Sequence, residues 1–107
     1  MTRRRPLDAW RCHAGHVYLH PHAACPVCGR SLRATRVPPV ATLLLITTVR
    51  VSPAGSPFDL GLAVTVAGRA RTLCRVEGRV RGTGRDSVLL ERHGATIVAR
   101  PARGRPA

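Results

Sequence analysis

Between Trp10 and Gly29 the chain gathers three of its four cysteines, four of its five histidines, its only Trp and its only Tyr. Cys25-Pro26-Val27-Cys28-Gly29 has the spacing of a zinc knuckle. Two thiolates separated by two residues grip one ion, and the glycine lets the backbone turn tightly behind the second sulfur. Zn²⁺ takes four ligands, and Cys12 is the obvious third. A four-cysteine ribbon would place its partner three residues on, where this chain has Gly15. His16 and His13 are the nearest substitutes. His16 is the expected ligand, because Cys12-x3-His16 leaves Gly15 free to form the turn, whereas His13 is adjacent to Cys12 and would strain a shared ion. His20 and His22 flank Pro21 and read as exposed loop residues. The expected centre is a structural zinc on Cys12, His16, Cys25 and Cys28. A ribbon that has lost its metal, or a Cys25–Cys28 disulfide, are the competing readings.

Such ligands need two short hairpins to present them, and residues 9–30 are expected to form that ribbon, with Trp10 and Tyr18 packed against the metal loops. Residues 1–8 form a basic, proline-containing lead that is expected to be disordered. Residues 31–39 read as a linker ending in Pro38-Pro39, which prevents a helix from continuing. From 40 to 101 the chain reads as strands. Ala41–Val51 is rich in β-branched and aliphatic residues. Leu60–Val66 alternates large and small residues, and Ala67-Gly68 makes a turn. In Arg69–Val80 and the residue after it, Ala70, Thr72, Cys74, Val76 and Val80 share one side, and Arg69, Arg71, Arg75, Arg79 and Arg81 the other. Ser87–Arg92 and Ala95–Arg100 flank a hairpin signal at His93-Gly94. Ser52–Pro57 and Gly82–Asp86 are loops, and 102–107 is a basic tail expected to be disordered. No stretch carries a capped 3.6-residue period. The fold class predicted is all-β: a small rubredoxin-like zinc ribbon followed by a five-stranded OB-fold barrel, whose closure removes exposed strand edges. Cys74 is expected inside as a small hydrophobe.

The formal net charge is +13, and all eighteen basic residues are Arg. Such a balance suits anionic partners: nucleic acid, coenzyme phosphates or acidic protein surfaces. No apolar run is long enough to span a membrane, and no hydrophobic stretch follows Met1–Pro6, so a cytoplasmic location is expected.

The residues Trp10, Cys12, Tyr18, Pro21, Cys25, Pro26, Cys28 and Gly29, followed by a strand-rich segment with Phe58-Asp59 and the Gly84–Val88 run, carry a resemblance. The chain resembles the acyl-CoA-associated zinc-ribbon/OB-fold proteins, a family long catalogued as a domain of unknown function. The resemblance implies a non-catalytic accessory subunit with a structural zinc. Such a subunit holds or passes acyl-CoA for a thiolase-like or ketosynthase-like partner, or for a hydratase. Gly15 departs from the family's second ribbon cysteine. Only nine residues precede Trp10, so docking through the family's N-terminal helical segment is not expected. Arg69, Arg71 and Arg75, with Phe58 nearby, are the candidate phosphate-binding groups. They are expected beside a floor of the small residues Gly61, Ala63 and Thr65. The alternative is weak, sequence-independent nucleic-acid binding, for which the barrel offers Phe58 as its one stacking aromatic. An enzyme is not expected: the five acidic residues form no paired set, no Ser/His/Asp set is evident, and a zinc with four protein ligands has no open position.

Overall fold

The computed structural model describes residues 5–50, 57–78 and 86–102. Among these residues every element is a strand: β1 (Leu7–Cys12), β2 (Val17–Tyr18), β3 (Leu32–Val37), β4 (Val40–Val49), β5 (Phe58–Thr65), β6 (Arg71–Val76), β7 (Asp86–His93) and β8 (Thr96–Pro101). β2, β1 and β3 make a three-stranded sheet in that order, and β4-β5-β6-β8-β7 close into a barrel. Numbered within the barrel, that order is 1-2-3-5-4, with closure by the parallel contact of β6 with β8 at Arg75↔Val98 and Val76↔Ala99. The expected all-β architecture, a ribbon followed by a five-stranded barrel, is therefore the one observed.

The turns follow from residues that tolerate a left-handed backbone. Between β5 and β6, Gly68 and Arg69 have φ of 80° and 50°. Thr65 ties this turn together: its Oγ1 donates to the Ala67 carbonyl at 2.7 Å and accepts the Ala70 amide at 2.9 Å. The β7–β8 hairpin turns at Gly94, with His93 paired to Thr96. Pro38-Pro39 separates β3 from β4, and the Pro39 carbonyl accepts the Leu90 amide at 2.9 Å.

Four expectations change. The segment 31–39 is not a bare linker: Leu32–Val37 is a strand, paired with β1 from Leu7↔Val37 to Cys12↔Leu32. Its neighbour is distant in sequence, so the six-residue pattern alone does not reveal it. The lead gives up its last two residues to β1, where Leu7 is buried and Asp8 lies 3.6 Å from Arg36. Arg69 sits in the turn, outside the strand that carries Arg71 and Arg75. Finally, Gly61, Ala63 and Thr65 face the barrel interior, on the opposite side of the sheet from Arg71 and Arg75. A five-stranded barrel has little internal space, so β5 turns its small residues inward and its large ones outward. The loop Ser52–Ser56, most of the Gly82–Asp86 loop, Arg79, Val80 and Arg81, the start of the Gly84–Val88 run and the tail from 103 lie outside the described residues.

Ribbon and barrel share one hydrophobic core. Leu7, Ala9, Leu19 and Val37 from the ribbon belong to the same buried cluster as Ala41, Leu43, Val88 and Ile97 from the barrel. Val17 also packs on that cluster and lies against Gly68, where an added Cβ would come within 3.2 Å of its Cγ2. Polar contacts reinforce the junction. Arg92 of β7 donates through Nη2 to the carbonyls of Asp8 and Leu19, and its guanidinium lies 6.0 Å from the centre of the Trp10 ring. His20 Nε2 lies 3.5 Å from Thr72 Oγ1. His20 is exposed overall, as expected, but partial burial of its ring, then the charges of Arg92 and His22, lower its pKa.

This junction should therefore be acid-sensitive. A histidine whose folded pKa is depressed favours folding when neutral. Its contribution is complete above the unfolded value near 6.5 and is lost as pH falls through the folded one. Chemical denaturation at pH 7 and pH 5 should show wild-type stability falling more than that of His20→Gln. Any loss from protonated metal ligands is common to both proteins and cancels in the difference. Equal losses in the two would remove His20 as a cause.

Candidate metal centre

The ligand set is built by two tight turns facing each other. In the first, Gly15 donates its amide to the Cys12 carbonyl at 3.0 Å, and Cys12 donates to the His16 carbonyl at 3.0 Å. In the second, Gly29 donates to the Cys25 carbonyl and Cys25 to the Arg30 carbonyl, each at 2.8 Å. Gly15 and Gly29 have φ of 98° and 74°, a conformation that costs a side-chain-bearing residue free energy. At position 15 the backbone turns left-handed so that His16 reaches the centre. A cysteine there has space for its Cβ but would be strained.

Cys12, His16, Cys25 and Cys28 each contribute one donor atom, and these four atoms lie within 4.8 Å of one another. His16 Nδ1 is 3.2 Å from Cys12 Sγ and 3.7 Å from Cys25 Sγ. A tetrahedral ion with ordinary Zn–S and Zn–N bonds sets sulfur–nitrogen separations of about 3.6 Å. The three thiols and one imidazole therefore fit a metal ion. The expected four residues are the ones brought together. His13 instead lines a neighbouring cleft of about 460 Å³ with Arg11, Ser31 and Arg33.

Cys12 and Cys25 are buried, His16 is half-buried and Cys28 is exposed. Burial pushes the Cys25 thiol up. The Tyr18 hydroxyl and the amides of Cys28 and Val27 act the other way and bring it down to about 6, which favours the thiolate a metal needs. The His16 imidazole is raised, chiefly by its contact with Cys12. The Tyr18 hydroxyl lies 3.1 Å from Cys25 Sγ; that contact, with burial and the neighbouring thiols, pushes its own pKa up to about 12. Tyr18 is thus a second-layer group that orients Cys25, a role its aromatic character in the sequence did not disclose. Tyr18→Phe keeps the ring and removes the donor. Metal affinity should fall by about tenfold, read by competition with a chromophoric chelator. Unchanged affinity would mean the hydroxyl contributes nothing.

On the barrel, Arg71 and Arg75 are exposed on β6, and the Arg75 guanidinium lies 4.9 Å over the Phe58 ring. Cys74 points inward, 3.6 Å from the Gly61 carbonyl, and burial pushes its thiol up to about 11, which leaves it unreactive. No helix among the described residues is long and apolar enough to cross a membrane.

A ribbon carrying a Cys3His donor set and packed on a closed barrel defines the class of this chain. Solved structures that share this ribbon-and-barrel fold include two DUF35 proteins. One is a protein of unknown function from the DUF35 family of Sulfolobus solfataricus: TM-score 0.66 and 14% identity, covering 90% of this chain and 75% of that one. The other is described as Ltp2-ChsH2(DUF35) aldolase: TM-score 0.69 and 19% identity, covering 96% of this chain and 98% of that one. These two neighbours are DUF35 proteins, and the fold is the one expected from the ribbon-and-barrel resemblance of the sequence. No family model matches the sequence, and no curated protein does.

Proposed function

We propose that the chain is a non-catalytic accessory subunit of an enzyme complex in lipid metabolism. In this reading it binds or channels an acyl-CoA or similar acyl thioester for a thiolase-like, ketosynthase-like or hydratase partner. The observation that carries the reading is the fold likeness over nearly the full length of both chains to the DUF35 protein of the Ltp2-ChsH2 aldolase. The donor set supports it. Four protein ligands fill a tetrahedral zinc and leave no position for a reacting water, so the metal's work is to hold the ribbon together. When bound, the ion supplies folding free energy to a unit too small to form a core of its own.

Arg69 at the β5–β6 turn and Arg71 at the start of β6 are the groups offered to coenzyme phosphates. Phe58, under Arg75, marks the far end of the same face. The inward orientation of Gly61, Ala63 and Thr65 means these arginines have no small-residue floor beside them, so phosphate contact rests on the guanidinium groups themselves. Titration of the purified chain with acetyl-CoA tests the reading. Saturable binding weakened about tenfold by Arg71→Ala is expected, as for loss of a charge-assisted contact. Nanomolar retention of an oligonucleotide at about 0.2 M salt, with no acetyl-CoA binding, would favour nucleic acid instead.

A further inference from the structure

The outer face of β4, β5 and β6 carries an apolar centre. Leu45 lies opposite Leu62, and Leu62 opposite Leu73, so three leucines stand side by side across three strands. Leu45 and Leu73 are each 62% exposed. The next row toward one end is Thr47–Leu60–Arg75, and toward the other Thr42–Val64–Arg71. Directly opposed side chains on one sheet face are in contact, so the leucines form one patch.

A local irregularity in β4 makes this patch. Its register with β5 shifts between Leu43 and Leu45, leaving Leu44 as an extra residue. Ala41 and Leu43 are fully buried. Were Leu44 paired in register, strict alternation would send Leu45 inward after them; with Leu44 bulged out, Leu45 points out and Ile46 packs on the core. Bulges re-aim side chains in this way at working surfaces, and a contiguous exposed apolar patch marks an interaction site.

Charge selects the occupant. Among the described residues, the charged groups bordering the leucines, Arg71 and Arg75, are positive, and the whole chain carries +13. A two-fold pairing of this face with a second copy would set arginines against arginines. An acyl chain gains little from these exposed leucines, since apolar parts of small ligands bind where concave walls enclose them, and the coenzyme phosphates would meet Arg69 and Arg71 at the edge of the face, not the leucines. We propose that the outer face of β4–β6, centred on Leu45, Leu62 and Leu73 and bordered by Arg71 and Arg75, docks a protein partner presenting an apolar ridge flanked by carboxylates. The inference rests on the reading of the chain as a subunit of an enzyme complex.

The test places a photo-crosslinking benzophenone side chain at position 73 of the full chain, expressed in its own cells. Position 27 is the control, because Val27 is 70% exposed but lies on the metal knuckle. The adduct is identified by mass spectrometry. The captured protein is then purified and titrated against wild type, Leu73→Asp and Arg75→Glu. Both substitutions are on the surface, so melting temperature and metal content should match wild type. One protein captured at position 73 and not at 27, through an apolar peptide bearing Asp or Glu, is the expected result. Each substitution should weaken its binding at least about tenfold, and a carboxylate-to-lysine change in that peptide should restore binding to Arg75→Glu. A second copy of the chain as the adduct would overturn the proposal, as would no excess over position 27. A thioester enzyme that binds Leu73→Asp as tightly as wild type would overturn the docking face and leave the proposed function standing. A partner of unrelated chemistry that meets every binding criterion would do the reverse.

Discussion

Replacing Cys25 with serine should unfold the barrel together with the ribbon. Cys25 is buried at 2% exposure and receives the Tyr18 hydroxyl. Serine offers an alcohol of high pKa where the centre needs a soft thiolate, so the ion is lost. A structural zinc contributes on the order of 10 kcal/mol to the fold of a small domain, which is comparable with the whole stability of an ordinary one. The damage cannot stay local, because Leu19, next to Tyr18, is 1% exposed in a cluster that also holds Leu43, Val88 and Ile97. Far-UV circular dichroism of Cys25→Ser, and of wild type under a strong chelator, should show loss of the cooperative thermal transition in both. A preserved barrel transition with only the ribbon melted would refute the shared core as the unit of folding.

The second large effect is expected inside the barrel, at Gly61. A Cβ there would lie 2.6 Å from Leu43 Cδ1, 2.9 Å from Val76 Cγ2 and 3.1 Å from the Leu45 carbonyl oxygen. The Leu43 methyl has nowhere to move, since Leu43 is fully buried, and the Leu45 carbonyl belongs to the bulged stretch of backbone. Gly61→Ala should cost about 1–3 kcal/mol through overpacking, outweighing the gain of about 0.4–1 kcal/mol that alanine brings by stiffening the unfolded chain. Gly61→Val, with two further methyl groups in the same space, should cost more than Gly61→Ala. Urea denaturation of the two variants checks the order. A neutral or stabilised Gly61→Ala would show that the interior has slack.

Much of this architecture is legible in the residues because it is local. C-x2-C spacing, glycines behind the ligands and period-two strands are features of a few consecutive positions, and they carry the ribbon, His16 and the barrel. What they do not carry is set by distant neighbours. β3 is a strand because β1 lies beside it, and Leu32-Arg33-Ala34-Thr35-Arg36-Val37 has no strong pattern of its own. β5 alternates clearly, yet alternation does not say which face is inside; the narrow barrel decides that Gly61, Ala63 and Thr65 go in. Arg92 reads as one of many basic residues. Only the fold shows its guanidinium turned to the carbonyls of Asp8 and Leu19 across the junction.

Leu44 divides β4 into two reading frames. Before it, odd-numbered residues Ala41 and Leu43 face inward; after it, even-numbered Ile46 takes that part. The surface chemistry of the strand's second half is thus set by Leu44 being left out of the pairing, as well as by which residues are present. Were Leu44 paired in register, every later residue of the strand would turn over; were it deleted, Leu45 would stay outside and Ile46 inside with no bulge at all. The bulge can therefore be lost in a single genetic step with the leucine face intact and the residues upstream keeping their places in the core.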